Sequence, residues 1–146
     1  MYQDKQFRYK PLDEVEAELK LVASKKRRIR DVFLADGDAM MLPSKPLLEI
    51  LELIKVYFPN VGRVSSYCLP RNVKHKSVDD LRSLRKVGLT LVYIGCESGS
   101  NAVLNSLDKG KTFASSLDAL SKLQTVGLKR SIMILVGVWS TRTNME

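Results

Sequence analysis

Three short clusters in this chain mix small residues with carboxylates and hydroxyls: Asp36-Gly37-Asp38-Ala39, Ser65-Ser66-Tyr67-Cys68 and Gly95-Cys96-Glu97-Ser98-Gly99. Each lies at the end of a short apolar run, and Gly137 holds the equivalent place after a fourth. Glycine lets a backbone approach a ligand closely and leaves its amide free to bond. Carboxylates at such places accept hydrogen bonds from an amine or from ribose hydroxyls. A polar small molecule carrying a ribose or an amino group suits this chemistry. Tight turns and helix caps use the same residue types, and pattern alone does not choose between the two uses.

Metal chemistry has less to draw on. Cys68 and Cys96 are too few and too widely spaced for a disulfide framework, a zinc site or a cluster motif. Each reads as a small buried residue. The single histidine, His75, reads as a loop residue. Any metal ligands of the functional protein are therefore expected elsewhere. The net charge of +8 favours anionic partners. Its densest source is the run Lys25, Lys26, Arg27, Arg28 and Arg30. That run fits a solvated helix end, where cations complement the helix dipole, and leaves RNA contact as the alternative. No interleaved aromatic offers a base-stacking platform there.

The elements that position these clusters follow from periodicity. Leu12, Val15, Leu19 and Val22 predict an amphipathic helix from Pro11 to about Ser24, with Pro11 in its first turn. The run 31–36 (DVFLAD) reads as a buried strand, followed by a loop to Pro43. Leu47, Leu48, Leu51, Ile54 and Phe58 mark a second helix with Ser44 as its N-cap. A strand over Arg63–Cys68 and a loop over 69–76 come next. Ser77 and Asp80 have the spacing of a capping box, opening a helix that stops at Gly88. Residues 89–94 (LTLVYI) read as a strand, followed by a loop and short helical turn over 97–109. Phe113, Leu117, Leu120 and Leu123 predict a helix closed by Gly127, and 132–136 a last strand.

Helices and strands therefore alternate, which predicts a parallel sheet with helices packed on it. Val87-Gly88-Leu89 and Val126-Gly127-Leu128 repeat one helix–glycine–strand junction. No linker or low-complexity stretch divides the 146 residues, so a single domain is expected. Four strands cannot close an eight-stranded barrel, and the strand edges left open invite association. The chain reads as cut at both ends. No apolar run reaches the roughly 18 residues of a membrane span, and the polar N-terminus lacks a signal-peptide core. A cytoplasmic location is expected.

Four segments in order, FLADGDAMMLP, RVSSYCLPRN, LTLVYIGCESGSNAVLNSLDKGKT and LQTVGLKRSIMILVG, resemble radical S-adenosylmethionine (SAM) proteins. The branch they look most like contains oxygen-independent coproporphyrinogen oxidases and methylthiotransferases. The resemblance implies a partial TIM-type (β/α)6 barrel. It also implies a [4Fe–4S] cluster bound through C-x3-C-x2-C after the first strand, its fourth iron chelated by SAM. Reductive cleavage of SAM there gives a 5′-deoxyadenosyl radical that takes hydrogen from substrate, the cofactors carrying the hard chemistry.

Carried over by residue, the resemblance places Asp36, Gly37 and Asp38 at the methionyl amino group. Ser65, Ser66 and Tyr67 fall at the ribose and methionine portion, and Glu97 and Ser98 along the SAM pocket. Lys109 falls where a cation suits the SAM carboxylate. Residues 1–5 (MYQDK) resemble the stretch just after the third cluster cysteine, and the residues following Gly137 leave the family pattern. The expectation is therefore a fragment, 1–146, lacking the first strand with its cluster loop and the last barrel unit. Alone it would be inactive, with no tightly bound cofactor and its substrate chosen by parts outside it. The alternatives are a basic RNA-binding module that keeps the fold, and an unrelated barrel enzyme with its site at the same strand ends.

Overall fold

Parallel pairing organises the chain as a computed structural model, which describes residues 9–25, 28–35, 38–108 and 110–137. Strands β1 (Asp31–Leu34), β2 (Arg63–Cys68), β3 (Leu89–Glu97) and β4 (Lys129–Ile134) form one sheet in the order β1-β2-β3-β4. Every pair is parallel, with Asp31 opposite Arg63, Ser65 opposite Leu91 and Tyr93 opposite Ser131. A parallel crossover is right-handed in nearly all proteins, so strands added always on the same side carry their helices on one face. A doubly wound sheet needs the order to reverse. This sheet has barrel winding.

The helices are α1 (Leu12–Ser24), α2 (Ser44–Tyr57), α3 (Pro70–Lys74), α4 (Val78–Val87), α5 (Asn101–Ser106) and α6 (Phe113–Thr125), with a 3-10 turn at Ala39–Met41. Spacings of three and four put Leu47, Leu51 and Ile54 of α2, Leu81 and Leu84 of α4, and Ala119 and Leu123 of α6 against the sheet. There they meet Val64, Cys68, Leu89, Val92 and Ile94 in one core. Each fully buried aliphatic side chain of this set contributes about 1.5–3 kcal/mol relative to exposure. The sheet's other face carries the intervening residues, and there Phe33 and Tyr67 stay 40% and 49% exposed. Among the described residues no helix is long and apolar enough to cross a membrane.

β3 runs on to Glu97 rather than ending at Ile94, and β4 ends at Ile134 rather than Val136; three further differences from the sequence expectation have a local reason. Ser44 does not cap α2: Pro43 stands at the N-cap and Pro46 has no N–H to be capped. The Ser44 hydroxyl instead lies near Asp80 at the start of α4, where it helps hold that carboxyl below its ordinary value. The expected loop 69–76 contains α3, where Pro70 at the first helical position pre-sets the backbone and loses no needed bond. Its carbonyl end is held by Lys122, whose Nζ donates to Val73 O at 3.1 Å and to Lys76 O. Finally, β4 begins at Lys129 rather than Ile132, because pairing with Leu91 starts directly after the Gly127 turn. The capping box of α4 is present as expected, Ser77 Oγ accepting from Asp80 N and Asp80 Oδ2 accepting from Ser77 N, each at 3.0 Å.

Two bulges adjust β3. Thr90 is the extra residue between pairs Val64–Leu89 and Ser65–Leu91. Its hydroxyl accepts from Val64 N at 3.1 Å and donates to Val64 O at 2.9 Å, replacing ladder bonds that the bulge would break. Cys96 is the extra residue between pairs Gly95–Met133 and Glu97–Ile134. That second bulge shapes the candidate site.

Candidate functional site

At the carboxyl end of β3 the backbone turns through Cys96 into Glu97, which has φ of 66°. A left-handed conformation in a non-glycine residue is uncommon and re-aims its side chain. Here it folds the Glu97 carboxylate back over Gly95. A methyl group on Gly95 would lie 2.9 Å from Glu97 Oε1 and 3.9 Å from Met133 Cε. Position 95 must therefore be glycine for this carboxylate to rest where it does, on the face away from the helices.

Lys111 completes the arrangement. Its Nζ donates to Gly95 O at 2.8 Å and to Glu97 Oε1 at 3.3 Å. The two side chains are only 8% and 11% exposed, so the charges are mutually neutralised away from bulk water. Lys111 is fixed in turn by the start of α6, where Thr112 and Ser115 form a reciprocal capping box. Asn101 Oδ1 accepts from Phe113 N at 2.8 Å, tying the start of α5 to the same corner.

Below this pair the open face is aromatic. Phe33, Tyr67 and Tyr93 from three adjacent strands meet at centroid separations of 4.9, 5.7 and 6.1 Å, with Phe33–Tyr67 and Tyr67–Tyr93 edge-on. Ser65 sits on the same face of β2, opposite Phe33, is 5% exposed, and donates its hydroxyl to Val32 O at 3.5 Å. The foot of the face carries the exposed ion pair of Arg63 Nε with Asp31 Oδ1 at 3.1 Å.

The sequence-predicted residues divide. Ser65, Tyr67 and Glu97 share the open face. Ser66, fully buried on the helix side, donates its hydroxyl to Tyr67 O at 2.9 Å. Asp38 accepts from Asn72 Nδ2 of α3 through Oδ2 at 2.5 Å, while its Oδ1 is buried with no hydrogen-bond partner among the described residues. Ser98 Oγ accepts from Ser100 N at 3.1 Å, building the turn into α5. Asp36, Gly37 and Lys109 lie outside the described residues. Lys111, Phe33 and Tyr93 were missed as site residues. Strand alternation carries the two aromatics to the face of Ser65 and Tyr67, and the Lys-Gly-Lys-Thr run offers two lysines between which spacing alone does not choose.

Neither cysteine faces this site. Burial, and then the nearby Asp38 charge, push the Cys68 thiol up to about 12. Burial also raises Cys96. His75 is exposed and ends α3. Among the described residues no three His, Cys, Asp or Glu side chains converge as metal ligands.

Comparison with known proteins joins this geometry to a family. Residues 2–139 match the Radical SAM superfamily. No curated protein matches the sequence significantly. Among solved structures, the chain is similar to the cobalamin-dependent S-adenosylmethionine radical enzyme OxsB, with a TM-score of 0.71 and 20% identity over 91% of this chain and 21% of that one. Coproporphyrinogen III oxidase (HemN) from Escherichia coli gives 0.68 and 18%, over 84% of this chain and 29% of that one. Methylornithine synthase (PylB) gives 0.65 and 15%, over 92% and 38%. The chain thus spans well under half the length of these proteins. What they share with it is the fold, a parallel sheet wound as part of a TIM-type barrel. Enzymes of this family use SAM and a [4Fe–4S] cluster. With the match running over residues 2–139 of 146, the chain belongs to the radical SAM superfamily.

Proposed function

We propose that residues 1–146 are a section of a radical SAM barrel domain that lines the SAM pocket and is inactive alone. The first strand with its cluster loop, and the last barrel unit, would come from chain outside this section. The whole enzyme would cleave SAM reductively to a 5′-deoxyadenosyl radical, in the cytoplasm. The observation that carries this reading is the Glu97 carboxylate, folded over Gly95 and neutralised by Lys111 at the strand ends. A fixed acceptor there, on the sheet face that Tyr67 shares, suits the amine and ribose hydroxyls of SAM.

The cluster does not fit the residues described. Only two thiols are present in the sequence, both are buried, and burial raises the pKa of each. Its ligands would have to come from outside these 146 residues. SAM does fit. Glu97, Tyr67 and Ser65 would bind it from the open face. Ser66 would contribute backbone only, since its hydroxyl is turned inward, and Asp38 would position the β1–α2 loop by holding Asn72. Asp36, Gly37, Ser98 and Lys109 keep the roles that family resemblance implies. The RNA-binding alternative gains no support from the matches, and for these 146 residues on their own the β1 and β4 edges are the surface we assign to self-association.

Two measurements test the reading. Titrating the chain with S-adenosylhomocysteine should move the amide resonances of Ser65, Tyr67 and Glu97, with affinity of about 1 mM because the principal anchor is absent. Shifts confined to the helix face would refute the site. Anaerobic iron–sulfide reconstitution should give no EPR-active protein on reduction, and a stable four-iron centre on these 146 residues would overturn the fragment reading.

A further inference from the structure

We infer that α3 is a brace for the β1–α2 loop, with Asn72, Lys76 and Lys122 as positioning residues that hold Asp38 in place at the carboxyl end of the sheet. That this loop faces SAM rests on the function proposed above; the brace itself rests on contacts among described residues alone. Parallel strands need one crossover helix between them. From β2 to β3 that helix is α4, and the five-residue α3 is additional. Its side chains and its carbonyls are nevertheless engaged from two directions.

Two residues reach the segment Asp38–Leu42 at its two ends. Asn72 Nδ2 donates to Asp38 Oδ2 at 2.5 Å. Lys76 Nζ donates to Leu42 O at 2.5 Å, on the carbonyl just before Pro43. Between these ends the 3-10 turn closes with Met41 N on Asp38 O at 2.8 Å and Leu42 N on Ala39 O at 3.1 Å, and Met40 is fully buried. Asn72 and Lys76 are four residues apart, the spacing that puts side chains on one face of a helical turn. Bonds from His75 N to Arg71 O and from Lys76 N to Val73 O carry the turn that far. The two holding side chains belong to residues only 4% and 5% exposed. Little water competes there, and a charged donor on a carbonyl is then among the stronger hydrogen bonds.

Asp38 is where the hold matters. With Oδ2 taken by Asn72, its Oδ1 stays buried without a hydrogen-bond partner among the described residues. An unpaired buried acceptor is unfavourable, and a loop free to move would carry it to water. Holds at both ends of the segment oppose that movement. The brace is fixed in turn from α6, where Lys122 Nζ donates to Val73 O at 3.1 Å and to Lys76 O. The same helix opens beside the Lys111–Glu97 pair. The ends of β1 and β3, which the sheet separates by β2, are therefore held in one register through α3 and α6.

Hydrogen exchange of residues 1–146 without ligand tests the brace. In Lys76→Met and in Lys122→Met the Met41 and Leu42 amides should exchange about tenfold or more faster, as expected for losing a hydrogen bond from a charged donor. The amides of Val92 and Ile94, in a central strand, should keep their rates. Lys74→Met makes the same charge change at an exposed position of α3 and should leave all of these amides alone. The amide shifts caused by about 1 mM S-adenosylhomocysteine should shrink about threefold in the first two variants and persist in Lys74→Met. A ligand that shifts nothing in the unaltered chain removes the SAM pocket, and exchange alone then decides for or against the brace. Exchange at Met41 and Leu42 that ignores Lys76→Met and Lys122→Met overturns the inference, as does an equal rise in Lys74→Met. So do ligand shifts that stay full in both variants. Should those variants unfold, exchange of the unaltered chain in graded urea decides. Met41 and Leu42 must open together with His75 and Lys76 as one unit, and loop amides that open at lower urea than those of α3 overturn it.

Discussion

Replacing Lys111 by methionine keeps most of the side-chain volume and removes the ammonium that Gly95 O and Glu97 Oε1 share at 2.8 and 3.3 Å. Breaking a buried ion pair from one side costs about 3–5 kcal/mol, because the surviving charge stays buried. Glu97 has 11% side-chain exposure and a further interaction, which argues for the lower end, about 3 kcal/mol. Domains of this kind are stable by about 5–15 kcal/mol in all, so the loss is a large share. With a urea slope of about 2 kcal/mol/M, the unfolding midpoint should fall by about 1.5 M at unchanged slope. Adding Glu97→Gln removes the stranded charge, so the double variant should lose less than the sum of the two singles, by about 2 kcal/mol. A midpoint unmoved by Lys111→Met would refute the reasoning, as would strict additivity. Either result would mean that the pair is solvated and merely adjacent.

Gly95→Ala should lower stability by about 1–3 kcal/mol, since the new methyl must displace Glu97 Oε1 from 2.9 Å, and most of that loss should vanish in a Glu97→Ala background. Ser77→Ala should cost about 1 kcal/mol at neutral pH by chemical denaturation. Hydrogen bonds from Ser77 hold the Asp80 carboxyl below its ordinary value, so their contribution is complete above the usual carboxylate range and is lost as pH falls through the lowered value. The cost of Ser77→Ala should therefore shrink in strong acid, and a cost independent of pH would contradict the assignment. Both thiols should react with a disulfide reagent at pH 8 only as fast as the chain opens, given Cys68 at about 12 and Cys96 raised by burial. Rapid labelling of Cys68 in the folded chain would show that its burial is wrong.

Periodicity made the architecture legible. Leu47, Leu51 and Ile54, and Leu81 with Leu84, declare helix faces by spacing, and the β2 limits follow from a run bounded by glycine and proline. Elements were misread where tertiary pairing outweighs local hydropathy. Lys129-Arg130-Ser131 is too polar to look like a strand, yet it pairs because β3 already lies beside it. Glu97 was legible as a strand-end carboxylate, but its folded-back direction was not. That direction depends on a bulge at Cys96 and on contact with Lys111, neither of which has a one-dimensional signature. Ser66 illustrates the converse, since two adjacent serines in a strand necessarily face opposite ways and only one can line the site.

The sheet order has a consequence for how the chain is made. Each strand pairs with the one synthesised just before it, Asp31 with Arg63, Val64 with Leu89 and Leu91 with Lys129. Among the described strands none waits for a partner from the far end of the sequence, and no described pairing spans more than two intervening helices. Loop closure is the main entropic delay in forming non-local contacts, and here it is paid in short, successive instalments. A polypeptide of this topology can assemble vectorially as it leaves the ribosome, each new helix and strand docking on a surface already formed.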